Sequence, residues 1–193
     1  MAPIFVMIMS FFFFHEKLNK QKILVLIMTI IGLCFITGAF SQEVNLSGKA
    51  ILLGLGAGFG YALYSIFSKM IIDKYEAVTI ITYTFIVATI GSIPLSGVIY
   101  HVDELLSLQA IIVIIGLAIF CTAMPFLLYT TGLKKLEAGK ASILATIEPI
   151  VSAIVGLIFF QEVFDLTKIL GMICIISAIL ILNLNLIKAK SVN

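Results

Sequence analysis

An all-α integral membrane fold with seven transmembrane helices is what this sequence predicts. Three observations carry that expectation: its hydropathy, the length of its apolar runs, and a repeat shared by its two ends. Mean hydropathy is +1.23 and only 11% of residues are charged, against roughly 25% in an ordinary soluble domain. A soluble chain of 193 residues needs a polar surface that this one lacks. The apolar runs are continuous rather than alternating, which excludes a membrane β-barrel.

The elements follow in order. A short apolar stretch occupies roughly 2–14. It has no basic start and is followed by His15-Glu16-Lys17 rather than a small-residue cleavage site, so it reads as a helix and not as a signal peptide. Six longer stretches run through roughly 22–41, 50–68, 77–100, 108–133, 139–160 and 166–187. Each approaches the ~20 residues that a helix needs to cross a bilayer. Short loops join them.

The repeat sets the organisation. Pro3 to Ile30 recurs without a gap 146 positions later, from Pro149 to Ile176. Pro3/Pro149, Glu16/Glu162 and Lys22/Lys168 are identical, and Asn19 is matched by Asp165, two residue types that cap helix N-termini interchangeably. The matched spans are five apart, an odd number, so the two copies cross the membrane in opposite directions. Inverted repeats of this kind belong to carriers that alternate access around a central site. The chain is thus read as the last two spans of a first repeat (1–41), a complete five-span second repeat (50–187) and a tail (188–193). The helix of Pro149 extends upstream to about Gly139, whereas only Met1 and Ala2 precede Pro3. The chain is therefore expected to open mid-helix, with about three and a half further spans in the parent fold.

Charge fixes the orientation. All twelve basic residues are lysines, and ten fall on one side: Lys17, Lys20, Lys22, Lys69, Lys74, Lys134, Lys135, Lys140, Lys188 and Lys190. The other side has Lys49 and Lys168, with Asp103 and Glu104 in its loop. The positive-inside rule then places the C-terminus in the cytoplasm of a cell with this protein in its plasma membrane. The net charge of +2 gives no reason to expect a nucleic-acid partner. Membrane lipid and a small-molecule substrate are the partners expected. Cys34, Cys121 and Cys174 lie inside spans with no metal-type spacing, so neither metal nor cofactor is expected. No His, Cys or acid cluster pairs a nucleophile with a base, and enzyme activity is not expected.

Among the charged residues, Glu148 alone falls inside a span. An ionised carboxylate there costs about 2.5–3.5 kcal/mol, which makes Glu148 a candidate proton-coupling or substrate-binding group. The alternative is a protonated side chain that bonds a neighbouring span and fixes packing. Pro149 frees the carbonyl of Ala145, so the helix should kink or break there. Pro3 repeats the device in the first copy, with Ala2 in place of the acid. Glu16 and Glu162 close their spans just before the caps and read as hinge residues, able to bind lysines or the amides that open a helix. Gly54, Gly56, Gly58 and Gly60 give overlapping small-xxx-small pairs and are expected to pack helices closely. Tyr61 and Tyr64 on the same span, and Thr122 and Tyr129 two spans on, are candidates to line a cavity with polar contacts.

Ala2-Pro3 through His15-Glu16-Lys17-Leu18, the run Gly132–Ile143, Ile147-Glu148-Pro149 and Phe160-Gln161-Glu162 resemble the EamA family of the drug/metabolite transporter superfamily. The resemblance covers essentially the whole chain, as spans four to ten of a ten-span 5+5 inverted-repeat carrier. It implies an exporter of amino acids, other metabolites or drugs with cytoplasmic termini. The three missing spans leave room for another reading, a truncated fragment that is inactive or needs a partner, a second copy or the absent N-terminal spans. A seven-span receptor is the third alternative. The repeat weighs against it, and so does the lack of a lysine in the last span to hold retinal.

Overall fold

The computed structural model describes residues 2–39, 47–101, 105–161 and 165–190. Asp103, Glu104 and Glu162 lie outside them, as do the last three residues of the tail. Every regular element among the described residues is helical: α1 (Ala2–Phe14), α2 (Lys20–Ile36), α3 (Gly48–Ile71), α4 (Ala77–Ser96), α5 (Leu108–Gly116), α6 (Met124–Leu133), α7 (Ala138–Leu144), α8 (Glu148–Phe160) and α9 (Leu166–Lys190). A π-helical segment, Leu117–Ala123, joins α5 to α6, and a 3₁₀ turn, Ala145–Ile147, joins α7 to α8. A further 3₁₀ turn, Val98–His101, follows α4.

Among the described residues, five helical stretches are long and apolar enough to cross a membrane: Gly48–Ile71, Ala77–Ser96, Leu108–Leu133, Ala138–Phe160 and Leu166–Asn183. The other two of the seven expected spans are α1 and α2. α1 has 13 residues and α2 has 17, both below the ~20 of a full crossing. α2 was expected to continue to about residue 41, but it stops at Ile36. There the Thr37 hydroxyl donates to the Leu33 carbonyl at 2.8 Å, and Gly38 turns the chain with φ 67°, the left-handed conformation that ends helices.

The chain divides into two compact units, 1–66 with 137–193, and 67–136. In the first unit, α9 packs along α2. Gly32 faces Gly171: a Cβ on Gly32 would stand 2.8 Å from the Gly171 carbonyl oxygen, and one on Gly171 would stand 2.7 Å from that of Gly32. Eleven residues back along α2 and ten on along α9, the Gln21 side-chain amide donates to the Ile181 carbonyl at 2.6 Å. As numbers fall along α2 they rise along α9, so the two helices run antiparallel. Met7, Val25, Ile143, Ala178 and Leu182 form one apolar cluster on α1, α2, α7 and α9. Ile150, Met172 and Ile175 tie α8 to α9 in a second.

The boundaries of these helices obey the sequence repeat. α1 and α8 span 2–14 and 148–160, and α2 and α9 begin at 20 and 166, all 146 apart. Each later helix opens on a polar cap. The Asn19 side chain accepts from the Lys22 amide at 2.8 Å, and Asp165 accepts from the Leu166 amide at 2.7 Å. These satisfy donors that a helix start leaves open.

In the second unit, α4 packs on α6, with Phe85 edge-on to Phe126 at 5.1 Å between ring centres. The Lys69 ammonium donates to the Leu133 carbonyl at 2.6 Å. That contact holds the last turn of α3 against the end of α6, where free carbonyls and the helix dipole favour a cation. Pro125 lies at the start of α6 and has no N–H to give. The π-helical turns just before it keep the chain helical, and the Thr122 hydroxyl accordingly donates five residues back to Leu117 at 3.2 Å.

Candidate functional site

Glu148 opens α8 directly after the 3₁₀ turn Ala145–Ile147, and its side chain is exposed. Tightening from α to 3₁₀ just ahead of Pro149 lets the chain pass a residue that cannot donate. Ala145 ends α7, its own N–H bonding back to the Ala141 and Ile143 carbonyls. Pro3 occupies the matching place in α1 and is buried, whereas Pro149 is half-buried.

Tyr61 and Tyr64 lie beside each other on α3 in the first unit, ring centres 6.4 Å apart. Thr122, on the π segment, and Tyr129, on α6, belong to the second unit. All four are half-buried. A cleft of about 430 Å³ in the second unit is lined by Ile71, Tyr75, Thr79, Ile80, Tyr83 and Thr84. Sequence reasoning passed over Tyr83, Thr79 and Thr84. The signal was present: Thr79 and Tyr83 are four positions apart with polar tips on one face of α4, and Tyr75 lies a further four positions back, just before the helix.

Close helix approach occurs at Gly32 and Gly171 rather than along the glycine run of α3. A Cβ on Gly54, Gly56 or Gly60 would meet nothing within 4 Å in this chain. At these three positions α3 leaves room for a neighbouring surface.

Among the described residues a connected polar cluster surrounds Glu16, where the segment after α1 meets the first turns of α2 and α7. Its carboxylate, 8% exposed, accepts from the Ala138 amide at 3.0 Å, across 122 residues of sequence. α7 has Glu137 at its N-cap position, and the Glu137 side chain makes no capping bond. Glu16 supplies that cap from a distance. Gly139 permits the approach, since a Cβ there would come within 3.2 Å of Glu16 Oε2. Lys22 joins the cluster, its ammonium 3.8 Å from Glu16 and 2.6 Å from Glu137. Lys140 closes on Glu137 at 3.3 Å. Two loops that the lysine count assigned to one face, those of Lys22 and Lys140, thus meet in the first unit.

Burial pushes the Glu16 carboxyl above its ordinary value. Lys22 pulls the other way, Glu137 adds to the rise, and the amides of Ala138 and Gly139 oppose it. At Glu137 burial also pushes upward, but Lys22 and Lys140 outweigh it and hold the carboxyl below the ordinary range.

Repeat-related helices and membrane-length apolar spans define a multi-pass membrane protein. The model of the EamA-like transporter family matches residues 48–184, and the chain belongs to that family. It is 28% identical over 94% of its length to an uncharacterized transporter of Archaeoglobus fulgidus, covering 63% of that protein. Against the uncharacterized transporter YetK of Bacillus subtilis the identity is 25%, over 93% of this chain and 56% of the other. The S-adenosylmethionine uptake transporter of Rickettsia bellii is 24% identical, over 98% of this chain and 62% of that protein. The chain therefore spans about 60% of the length of the curated relatives it matches. No solved structure matches it significantly.

Proposed function

We propose that this chain is the larger part of a carrier that exports small metabolites, amino acids or drugs across the plasma membrane, with its C-terminus in the cytoplasm. The observation that carries the reading is the pairing of α2 with α9. These two helices begin 146 residues apart in sequence, and they pack antiparallel, Gly32 against Gly171. Two related helix sets of opposite sense supply the exchangeable halves that alternating access requires. In this reading the chain provides two spans of a first five-span repeat and the whole of a second. Further N-terminal spans or a second copy complete the first.

Glu148 is the proton-coupling or substrate-binding group of this carrier, set at the helix interruption before Pro149. Tyr61 and Tyr64 in the first unit, and Thr122 and Tyr129 in the second, each offer polar contacts to a cargo. S-adenosylmethionine, the cargo in the name of the Rickettsia relative, carries a fixed positive charge, and a carboxylate at position 148 suits cations of that kind. Pro3 and Pro149 are the bends, with Glu16 and Glu162 beside the hinges.

The test is transport by vesicles holding wild type or Glu148→Gln, assayed across pH with organic cations and amino acids. Loss of transport with unchanged insertion supports the assignment, and normal transport at every pH removes it. A second reading is favoured by the coverage of about 60% of the relatives: the chain transports only with a partner. Activity that appears solely on co-expression with N-terminal spans would select it.

A further inference from the structure

The cleft of about 430 Å³ in the second unit has no part in the carrier reading. Its size falls within the roughly 300–1,000 Å³ of ligand clefts. It starts where the chain turns from α3 into α4, at Ile71 and Tyr75, and reaches two turns into α4 at Tyr83 and Thr84. The wall is mostly hydrocarbon and aromatic ring, and the Thr84 hydroxyl is spent on the Ile80 carbonyl at 2.8 Å. Tyr75 and Tyr83 are exposed, and such rings settle at a membrane–water boundary. Past the cleft the same face of α4 goes on as hydrocarbon. Val87 and Ile90 follow Tyr83 at steps of four and three, which keeps them on one side of the helix, and both are exposed.

The end of the unit beside the cleft is positively charged. Lys74 lies in the turn between Ile71 and Tyr75 and is exposed. The bond from Lys69 to the Leu133 carbonyl brings Lys134 and Lys135 to the same end, where Asp73 and Glu76 are the acids. Lysines thus outnumber acids next to a groove walled by hydrocarbon. We propose that the cleft holds one anionic phospholipid, its phosphate at Lys74 and an acyl chain in the cleft and along Val87 and Ile90. A water-soluble cargo would have no use for the apolar face that continues past the cleft, and a neutral lipid none for the lysines. The lysine-rich side is the one read as cytoplasmic, and cytoplasmic leaflets carry anionic lipid. Nothing here depends on Glu148 or on transport. Only the orientation is shared with the carrier reading, so failure leaves that reading standing.

The test is native mass spectrometry of the full chain in detergent, titrated with phosphatidylglycerol or with phosphatidylcholine of the same acyl chains. Glycerol 3-phosphate serves as the headgroup alone. Wild type should retain one phosphatidylglycerol in preference to phosphatidylcholine. Lys74→Gln should weaken phosphatidylglycerol about fivefold, the factor that ~1 kcal/mol per surface lysine gives, and leave phosphatidylcholine unchanged. Lys20→Gln, at an exposed lysine of the other unit, should change neither. Thr79→Phe, which fills the cleft, should weaken both lipids. Equal retention of the two lipids by wild type overturns the proposal, as does unaltered binding by a folded Thr79→Phe protein. An equal loss from Lys20→Gln also overturns it, because diffuse surface charge would then account for the preference. Displacement by glycerol 3-phosphate at the lipid's own concentration would assign the site to a soluble phosphate instead. If Thr79→Phe does not fold, the two lysine variants decide.

Discussion

His15 and Gln161 are 146 positions apart, and among the described residues they are the two non-glycine positions with positive φ, 52° and 54°. Each follows the last residue of a helix, α1 or α8, and the bounds of these helices are also 146 positions apart. Two unlike side chains thus share one strained backbone conformation, each just past the end of its helix.

A left-handed conformation costs a residue with a Cβ roughly 1–2 kcal/mol, and glycine avoids that cost. His15→Gly and Gln161→Gly should each raise stability by up to ~1 kcal/mol. Isoleucine at either position, stiff at Cβ, should lower it by ~1–2 kcal/mol. Thermal unfolding in detergent is the check, and an unchanged midpoint for both isoleucine variants would show that the loop relaxes freely.

At the crossing of α2 and α9, a Cβ on Gly171 would approach the Gly32 carbonyl at 2.7 Å and the Phe35 and Ile36 side chains at 2.9 Å. Neither backbone nor packed side chain yields easily, so Gly171→Ala and Gly32→Ala should each cost about 1–3 kcal/mol by overpacking. Gly54→Ala and Gly56→Ala, with open space around the new methyl, should instead be neutral or stabilise α3 by up to ~1 kcal/mol. If these variants lose activity while keeping stability, the α3 glycines contact something outside this chain.

This contrast marks what the sequence could disclose. The repeat, the helical class and the caps at Asn19 and Asp165 were legible, because identical spacing and residue chemistry act locally. The α2–α9 crossing was not: Gly32 and Gly171 are single glycines on different helices, and no motif on either strand of sequence announces that they meet. The glycine run of α3 offered a motif without a neighbour. Glu16 was legible as a residue that could bind lysines or helix amides, but its partners, Lys22 and the Ala138 amide, depend on a contact across 122 residues. The π-helical turns before Pro125 followed from chemistry that the sequence displayed but that periodicity alone did not resolve.

Lys69 joins two helix ends through one bond to the Leu133 carbonyl. Lys69→Met keeps the aliphatic stem and removes the charge, leaving that carbonyl and the dipole of α6 uncompensated. Hydrogen bonds to charged groups contribute about 1.5–3 kcal/mol, and partial exposure places this one at the lower end. The variant should lose ~1–1.5 kcal/mol in thermal unfolding. Lys69→Arg, which still donates, should recover most of the loss.

Glu16 and Glu137 share Lys22 but respond oppositely to acid. Glu137 is held below its ordinary value: burial opposes this, but Lys22 and Lys140 outweigh it. Its stabilisation is present above the ordinary carboxylate value and is lost as pH falls through the lowered one. Glu16 is raised, mainly by burial, so its contribution is fully present below the ordinary value and is lost as pH rises through the raised one. In wild type the two terms offset each other between about pH 7 and 3. Glu137→Gln removes the acid-side loss, and the remaining Glu16 term should make that protein more stable on acidification relative to its own value at neutral pH. Glu16→Gln removes the opposing term and should become less stable over the same range. Unfolding midpoints measured from pH 7 down to 3 should therefore diverge between the variants, with wild type between them. Parallel profiles would mean that the two carboxylates titrate as independent, solvated groups and that Lys22 does not join them in solution.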